Sequence, residues 1–313
     1  NKMKAIILGA GSGFVSGIPD QGHPAAIHEI PGGRHALDYQ IEAFYKLGID
    51  TVVFVAGYHI EQIMEQYPSL HYLYNPVWRT TGSAYSLKEA GAWLEGDILI
   101  SYSDVLFSEK VVRGLIDTSF DFAVLEDTGW TGRYEGRGVT LQREAEKIIS
   151  AHGIVSNVGR YIFTEKVATG QFAGLIKVRG EATKRLRSML LDSSNSSSDR
   201  QFHEAESFEK AGITDVLQEM IIRGEKIYSV ITSDRWAELD APQDIAQFVF
   251  GTKAETLERL QGALNNSMVL DQIKISLGDW RDQQEESLAH IQTKFPSQKL
   301  AIRSSARNED SWH

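Results

Sequence analysis

Four short apolar runs set the rhythm of the first hundred residues, each closed by glycine or a small polar residue. Residues 5–8 end on Gly9, and residues 51–56, rich in β-branched side chains, end on Gly57. Residues 70–74 and 97–101 follow the same pattern. Runs of this length, bounded by turn residues, read as buried strands. Between them the period changes. Residues 36–47 place apolar side chains at helical spacing and stop at Gly48, and residues 60–66 and 82–94 also read as helices. Strands alternating with helices imply a parallel sheet covered on both faces. The expected fold is therefore α/β, a doubly wound, mostly parallel sheet. Ligands collect at the carboxyl ends of such strands. The polar residues there carry the interest: Gly9 to Gly13, Gly57-Tyr58, Asn75 and Ser103-Asp104.

Past Phe107 the pattern is more β-like and less regular, predicting a smaller mixed β-rich part. Strands are expected over 120–125, 138–141, 160–163, 172–178 and 227–231. Helices are expected over 182–191, 214–223 with Thr214 as N-cap, 242–250 opened by Pro242, and 254–264. The serine-rich run 192–199 reads as a mobile surface loop. Asn265-Asn266-Ser267 reads as a linker, dividing a domain over 1–264 from a separate stretch over 265–313.

Composition narrows the function classes. A chain of 313 residues with 42% hydrophobic and 24% charged residues is ordinary for a soluble globular protein. No run approaches the ~18 apolar residues of a membrane span, and no leader precedes the first strand, so a cytoplasmic location is expected. There is no cysteine, which removes disulfides and thiolate metal sites. A net charge of −10 argues against general nucleic-acid binding. An anionic metabolite held by amides, a few cations and a metal ion remains compatible.

Two features then suggest chemistry. The turn Gly9-Ala10-Gly11-Ser12-Gly13 has almost no side chain to hold a polyphosphate at a distance, and its N–H groups can point at phosphate oxygens. Many such turns only pack. Asp104 follows the fourth strand, and Asp240 precedes a helix after a short strand-like run. Two carboxylates facing a phosphate loop suit Mg²⁺, which takes one or two of them plus phosphate oxygens and water. Both positions equally suit aspartates that cap helices.

Leu8-Gly9-Ala10-Gly11-Ser12-Gly13 resembles the Leu-Ala-Ala-Gly-x-Gly signature of the nucleoside-triphosphate transferases. Four more segments agree in order: residues 36–50, Val55-Ala56-Gly57-Tyr58, Ile100-Ser101-Tyr102-Ser103-Asp104, and Trp236-Ala237-Glu238-Leu239-Asp240-Ala241-Pro242-Gln243-Asp244. Tyr74-Asn75-Pro76, Thr81 to Leu87, and residues 172–177 look closest to the small cytidylyltransferases, which act on phosphocholine, aminoethylphosphonate or phosphoglutamine. The resemblance implies a Rossmann-like nucleotidyltransferase fold and transfer of CMP from CTP to a small phosphorylated acceptor. It implies Asp104 and Asp240 as catalytic Mg²⁺ ligands, and Leu8, Ala10, Gly11, Ser12, Gly13, Gly57 and Ser83 as nucleotide-binding residues. Arg34, Trp78, Tyr85, Trp130, Tyr134 and Lys177 are candidates for the acceptor and its phosphates, since aromatic faces hold cationic amines. Each of these aromatics suits core packing as well.

Two departures from the pattern bear on activity. Val15 stands where the signature carries arginine, and Ala25 where it carries lysine. Donors of this kind are worth ~3 kcal/mol each in a transition state. Either Arg34, His23, Arg79 or Lys177 compensates, or the domain is a degenerate nucleotide- or metabolite-sensing module. A sugar-1-phosphate nucleotidyltransferase is a further alternative. Lys299-Leu300-Ala301-Ile302-Arg303-Ser304-Ser305-Ala306 with Glu309-Asp310 resembles the start of phosphoenolpyruvate-synthase-type ATP-grasp enzymes. That resemblance implies a C-terminal kinase domain in the full-length protein, making the acceptor's phosphate. A glutamine kinase paired with a phosphoglutamine cytidylyltransferase, used in capsule polysaccharide decoration, is the family pattern. A homo-oligomer is compatible with all of this.

Overall fold

Residues 5–8 are apolar throughout because both sides of their strand are covered. Ala5 and Ile7 pack on one side with Leu37, Phe44 and Phe54; Ile6 and Leu8 pack on the other with Val53, Val55 and Leu87. A computed structural model describes residues 2–12, 22–134, 139–161, 167–195, 200–232, 235–239, 242–261 and 267–303, with the backbone alone for 139–141, 242–244, 247 and 259. Its nine-stranded sheet comprises β1 (Lys4–Gly9), β2 (Thr51–Ala56), β3 (His71–Tyr74), β4 (Ile98–Tyr102), β5 (Phe122–Asp127), β6 (Lys147–Ala151), β7 (Ile154–Gly159), β8 (Gly170–Val178) and β9 (Tyr228–Ile231). The spatial order is β3-β2-β1-β4-β8-β5-β9-β7-β6.

Helices cover both faces, as the alternating pattern requires. On one, α1 (Ala36–Lys46) and α2 (Ile60–Gln66) bury Leu37, Phe44 and Ile63. On the other, α3 (Ser83–Glu89) buries Ala84 and Leu87. Then α4 (Glu109–Ile116) adds Val111, Val112 and Leu115 to the first core. After the short α5 (Val139–Glu144), α6 (Gly180–Ser194) and α7 (Ile213–Ile222) add Leu186, Met189, Val216 and Leu217 to the second. Each of these larger buried side chains contributes about 1.5–3 kcal/mol. Helix α1 begins where His35 N–H meets the Asp38 carboxylate at 2.8 Å. Helix α4 begins on Ser108, whose hydroxyl accepts from Val111 N–H.

The expectation of a mostly parallel sheet holds only for the first four strands. β3, β2, β1 and β4 are mutually parallel, and β9 runs parallel to β5. The other five pairings, including both edges of β8, are antiparallel. The predicted β-rich part is therefore no separate layer; its strands extend the same sheet. Residues 139–144 form helix rather than the strand expected over 138–141, a short β-branched run being ambiguous in period. The helix over 82–94 stops at Glu89, followed by a 3-10 turn at Gly91–Trp93. The strand placed over 160–163 ends at Gly159, with 162 and 163 outside the described residues. Of the serine-rich run, residues 192–194 complete α6, and 196–199 lie outside the described residues. The β6–β7 hairpin was not expected; His152 and Gly153, at φ 52° and 74°, make its two-residue turn.

The chain divides into two compact units, Asn1–Phe248 and Val249–His313. The first ends within α8 (Pro242–Phe250). The second contains α9 (Lys253–Leu260), capped by Thr252 and Glu255, then α10 (Leu277–Asp282) and α11 (Gln284–Lys294). Residues 304–313, most of the ATP-grasp-like motif, lie outside the described residues. No described helix is long and apolar enough to cross a membrane.

Candidate active site

The carboxyl ends of the parallel strands are tied to one another by backbone hydrogen bonds. Tyr58 N–H, after β2, donates to the Ala10 carbonyl at 2.9 Å, and Ser103 N–H, after β4, donates to that of Leu8 at 3.1 Å. Asn75 N–H, after β3, donates to Ala56 at 2.8 Å. Two glycines permit this closeness. A Cβ on Gly57 would lie 2.5 Å from the Ala10 oxygen and 2.6 Å from Trp78, and one on Gly9 would lie 2.4 Å from the Phe54 ring and 2.9 Å from Ser103 Cβ. Beyond Ala10, Gly11 and Ser12 are exposed and hydrogen-bond to no described residue. Amides held open on a rigid strand end suit an anion. Gly13 and Val15 lie outside the described residues.

Asn75 is fully buried and shapes the next loop. Its amide donates to Thr81 and Ser86 hydroxyls at 3.0 and 3.2 Å, and its carbonyl accepts from Val77 N–H. The loop so formed lays Trp78 against Gly57 and 5.4 Å from the Tyr58 ring. Arg79 lies over the Trp78 ring at 5.1 Å and is exposed. Of the four cations named as replacements for the missing pair, Arg79 adjoins the glycine turn through Trp78.

Asp104 is exposed in the turn after β4. The following segment, Val105–Phe107, pairs antiparallel with Trp236–Glu238, and Leu239 N–H donates to the Asp104 carbonyl at 2.9 Å. The segments carrying both predicted metal ligands therefore run side by side as far as Leu239; Asp240 lies outside the described residues. Among the described residues no group of three or more His, Asp or Glu is arranged to hold a metal. One exposed carboxylate is nonetheless a hard oxygen donor of the kind Mg²⁺ takes beside phosphate oxygens.

Against the Trp236–Glu238 segment lies a set of polar groups from β5, β8 and the 127–134 turn. Asp127 accepts from Arg133 Nε at 2.6 Å, Trp236 Nε1 at 2.9 Å and Gly129 N–H at 2.9 Å, and Arg133 stacks 4.1 Å over the Trp236 ring. Tyr134 donates to the buried Gln171 at 3.3 Å, and Gln171 donates to the Glu238 carboxylate at 3.2 Å. Trp130 is buried, edge-on to Tyr134 at 5.9 Å. Of the predicted acceptor residues, Tyr134 and Trp130 thus come together, joined through Gln171 to Glu238, the residue paired with Val105, with Trp130 serving as packing behind Tyr134. A second set joins Tyr102 to Glu146 and Arg160. Burial and the Glu146 charge hold the Tyr102 hydroxyl well above the usual phenol range, and Glu146 raises Arg160.

Other predicted residues lie elsewhere. Lys177 pairs with Leu99 and Ala123, at the amino ends of β4 and β5, and its ammonium donates to the Thr118 carbonyl and hydroxyl at 2.7 and 2.6 Å. It does not reach the strand ends that carry Asp104. Arg34 lies in a two-residue ribbon with Ile30, bonded to Glu42 at 2.7 Å and stacked on Tyr39. With Asp38, Lys46 and Tyr67 it lines a hollow of about 480 Å³ along α1, to which no described residue of the glycine turn contributes. Ser83 uses its hydroxyl to accept from Ile213 N–H at 3.0 Å, starting α7. Tyr85 carries Lys88 over its ring at 4.3 Å. His23 hydrogen-bonds Gln62 of α2 at 2.6 Å.

Several residues of the site were not singled out in the sequence: Asp127, Arg133, Glu146, Arg160, Gln171 and Glu238. One signal was present. Glu146-Lys147 directly precedes the apolar pair Ile148-Ile149, so charge stands where a buried strand begins. Both residues are in fact buried.

No protein-family model matches the chain. It is 23% identical over 260 residues to the CTP:phosphoglutamine cytidylyltransferase of Campylobacter jejuni, covering 78% of this chain and 98% of that protein. The inositol-1-phosphate CTP transferase of T. maritima shares its fold with a TM-score of 0.61 at 17% identity, over 84% of this chain and 98% of that one. The CTP:phosphocholine cytidylyltransferase of Streptococcus pneumoniae does so with a TM-score of 0.57 at 16% identity, over 79% and 97%. The resemblance to the nucleotidyltransferases, closest to the small cytidylyltransferases, is borne out; these relatives are enzymes.

Proposed function

We propose that this chain, a relative of the nucleotidyltransferases, is a magnesium-dependent cytidylyltransferase. It moves CMP from CTP to a small phosphorylated metabolite of the phosphoglutamine type and releases pyrophosphate. The observation that carries this reading is the shared sheet edge where the open Gly11 and Ser12 amides and the Asp104 turn are tied to one strand by Tyr58–Ala10 and Ser103–Leu8.

In this reading an oxygen of the acceptor phosphate attacks the α-phosphorus of CTP in line. The new P–O bond forms as the bond to the β-phosphate's bridging oxygen breaks, and pyrophosphate leaves with that oxygen. No protein nucleophile takes part; the chain's task is to position the reactants and offset charge on the transferring group. Gly11 and Ser12 amides hold the triphosphate, and Ala10, Gly57 and Trp78 bound the nucleoside. Arg79 supplies a cation at this edge in place of those lost at Val15 and Ala25. Asp104 and Asp240 would hold Mg²⁺, which when bound would supply charge neutralisation. Tyr134, Gln171 and Glu238 face the acceptor. The likeness of residues 299–311 to ATP-grasp enzymes supports a kinase domain that phosphorylates the acceptor, with capsule decoration as the use.

Pyrophosphate release with CTP, Mg²⁺ and phosphoglutamine tests the reading. Turnover in the wild type and none in Asp104→Ala, with an unchanged melting temperature, is the expected result. CTP binding without turnover on any phosphorylated acceptor would favour the sensing module instead.

A further inference from the structure

Glu146 and Arg160 form an ion pair with unused capacity on both sides. Arg160 Nη2 donates to Glu146 Oε1 at 2.9 Å, and the Tyr102 hydroxyl donates to the same oxygen at 3.2 Å. No described residue hydrogen-bonds Glu146 Oε2 or draws on Nε and Nη1 of Arg160. The Glu146 side chain is 10% exposed and that of Arg160 48%, so the pair opens to solvent through its guanidinium.

The backbone beneath the pair is held from several directions. Lys147, fully buried, donates its ammonium to the carbonyls of Arg143, Ala145 and Arg160 at 2.6, 3.0 and 2.8 Å. One buried cation therefore fastens the strand that carries Glu146 to the strand end that carries Arg160. Glu146 C=O accepts from Phe172 N–H at 2.8 Å, and the Glu204 carboxylate accepts from the N–H groups of Arg160 and Tyr161 at 2.7 Å each. Tyr102, two residues before Asp104 on β4, forms one wall with Phe172, their rings 5.8 Å apart. The pair is thus connected through one tyrosine side chain to the strand end where Asp104 lies.

Charge arithmetic sets what such a pair accepts. A cation alone meets a carboxylate already neutralised by a guanidinium, and an anion alone meets the reverse. A group carrying both charges finds an answer to each: its carboxylate on Nε and Nη1 of Arg160, its ammonium on Oε2 of Glu146. We propose that the Glu146–Arg160 pair recognises the α-ammonium and α-carboxylate of the acceptor, and so selects a phosphorylated amino acid over a phosphorylated amine lacking a carboxylate. This rests on the cytidylyltransferase reading, with Tyr102 spanning the distance from the head group to the reacting phosphate.

Calorimetric titration in the presence of Mg²⁺ and a non-hydrolysable CTP analogue tests it, with phosphoglutamine and phosphocholine as probes. The wild type binds phosphoglutamine at least tenfold more tightly than phosphocholine. Arg160→Ala weakens phosphoglutamine by roughly 10- to 100-fold, the worth of a lost charged hydrogen bond, and leaves phosphocholine and the CTP analogue within about twofold. Arg160→Lys recovers part of the loss, and Glu146→Gln, which keeps the shape, weakens phosphoglutamine alone, so the outcome stands if Arg160→Ala fails to fold. Equal binding of both probes by the wild type, binding of neither, or an Arg160→Ala variant that binds phosphoglutamine as before overturns the inference. Failure of the wild type to bind the CTP analogue would instead overturn the cytidylyltransferase reading.

Discussion

Replacing Gly57 by alanine tests whether the strand ends are packed as closely as described. The added methyl would lie 2.5 Å from the Ala10 carbonyl oxygen and 2.6 Å from Cβ and Cγ of Trp78. Neither neighbour gives easily. The Ala10 oxygen is engaged by Tyr58 N–H at 2.9 Å, and Trp78 is touched at the stem of its side chain rather than at a movable tip. Overpacking of this kind costs about 1–3 kcal/mol. For a domain of this size each kcal/mol lowers the melting temperature by about 2–4 °C, so a fall of about 2–12 °C is expected. Relief of the clash must push Ala10 and Gly11 outward, so CTP affinity falls as well. Gly91→Ala is the control: a Cβ there meets nothing within 4 Å, and the expected change is nil or a gain of a few tenths of a kcal/mol. Differential scanning fluorimetry and CTP titration of both variants decide the matter. A Gly57→Ala protein that melts with the wild type and binds CTP as well refutes the close approach, and with it the rigid placement of the Gly11 and Ser12 amides.

Three further outcomes are expected. Asp104→Asn, which keeps the side chain's size, loses turnover by at least about 100-fold while Leu239 N–H still meets the backbone carbonyl; full activity would remove the carboxylate from the chemistry. Lys147→Met leaves three carbonyls, that of Ala145 buried, without their donor and lowers stability by about 2–4 kcal/mol in urea denaturation; a loss below about 0.5 kcal/mol contradicts the clamp. Burial lowers Lys177 from its ordinary 10.5 to about 8. Between those values the unfolded chain holds a proton that the folded chain has released, so stability rises with pH through this window and the folded state bears the cost below it. The rise between pH 8 and 10 is expected in the wild type and absent in Lys177→Met; identical slopes exclude Lys177 as its source.

Much of the parallel half was legible from periodicity. Residues 5–8 and 51–56 are apolar on both faces, and Gly9 and Gly57 close them where the chain turns under another segment. Asp104 was singled out by its place, the first acidic group after a buried strand, and by the motif resemblance of residues 100–104. The polar groups proposed to meet the acceptor were not legible in the same way. Glu146, Arg160 and Gln171 are distant in sequence and share no local period. Glu146 meets Arg160 across the β6–β7 hairpin, and Gln171 meets Tyr134 and Glu238, because β8 pairs with β4, β5 and β6 at once. The β6–β7 hairpin depends on positive φ at His152 and Gly153, a weaker signal than Asn-Gly.

Residues 172–178 show where local pattern and tertiary structure part. A short apolar run with Ile176 and Val178 marked this segment as a strand, as it is. Such a run is unchanged when the strand is reversed, because it reads alike in both directions. Pairing antiparallel to β4 turns Lys177 toward the amino ends of the neighbouring strands and brings Gln171 to the edge that carries Asp104. Sequence determined which residues could be buried and where the chain could turn; only the packing of the whole sheet decided which end of each strand faces the site.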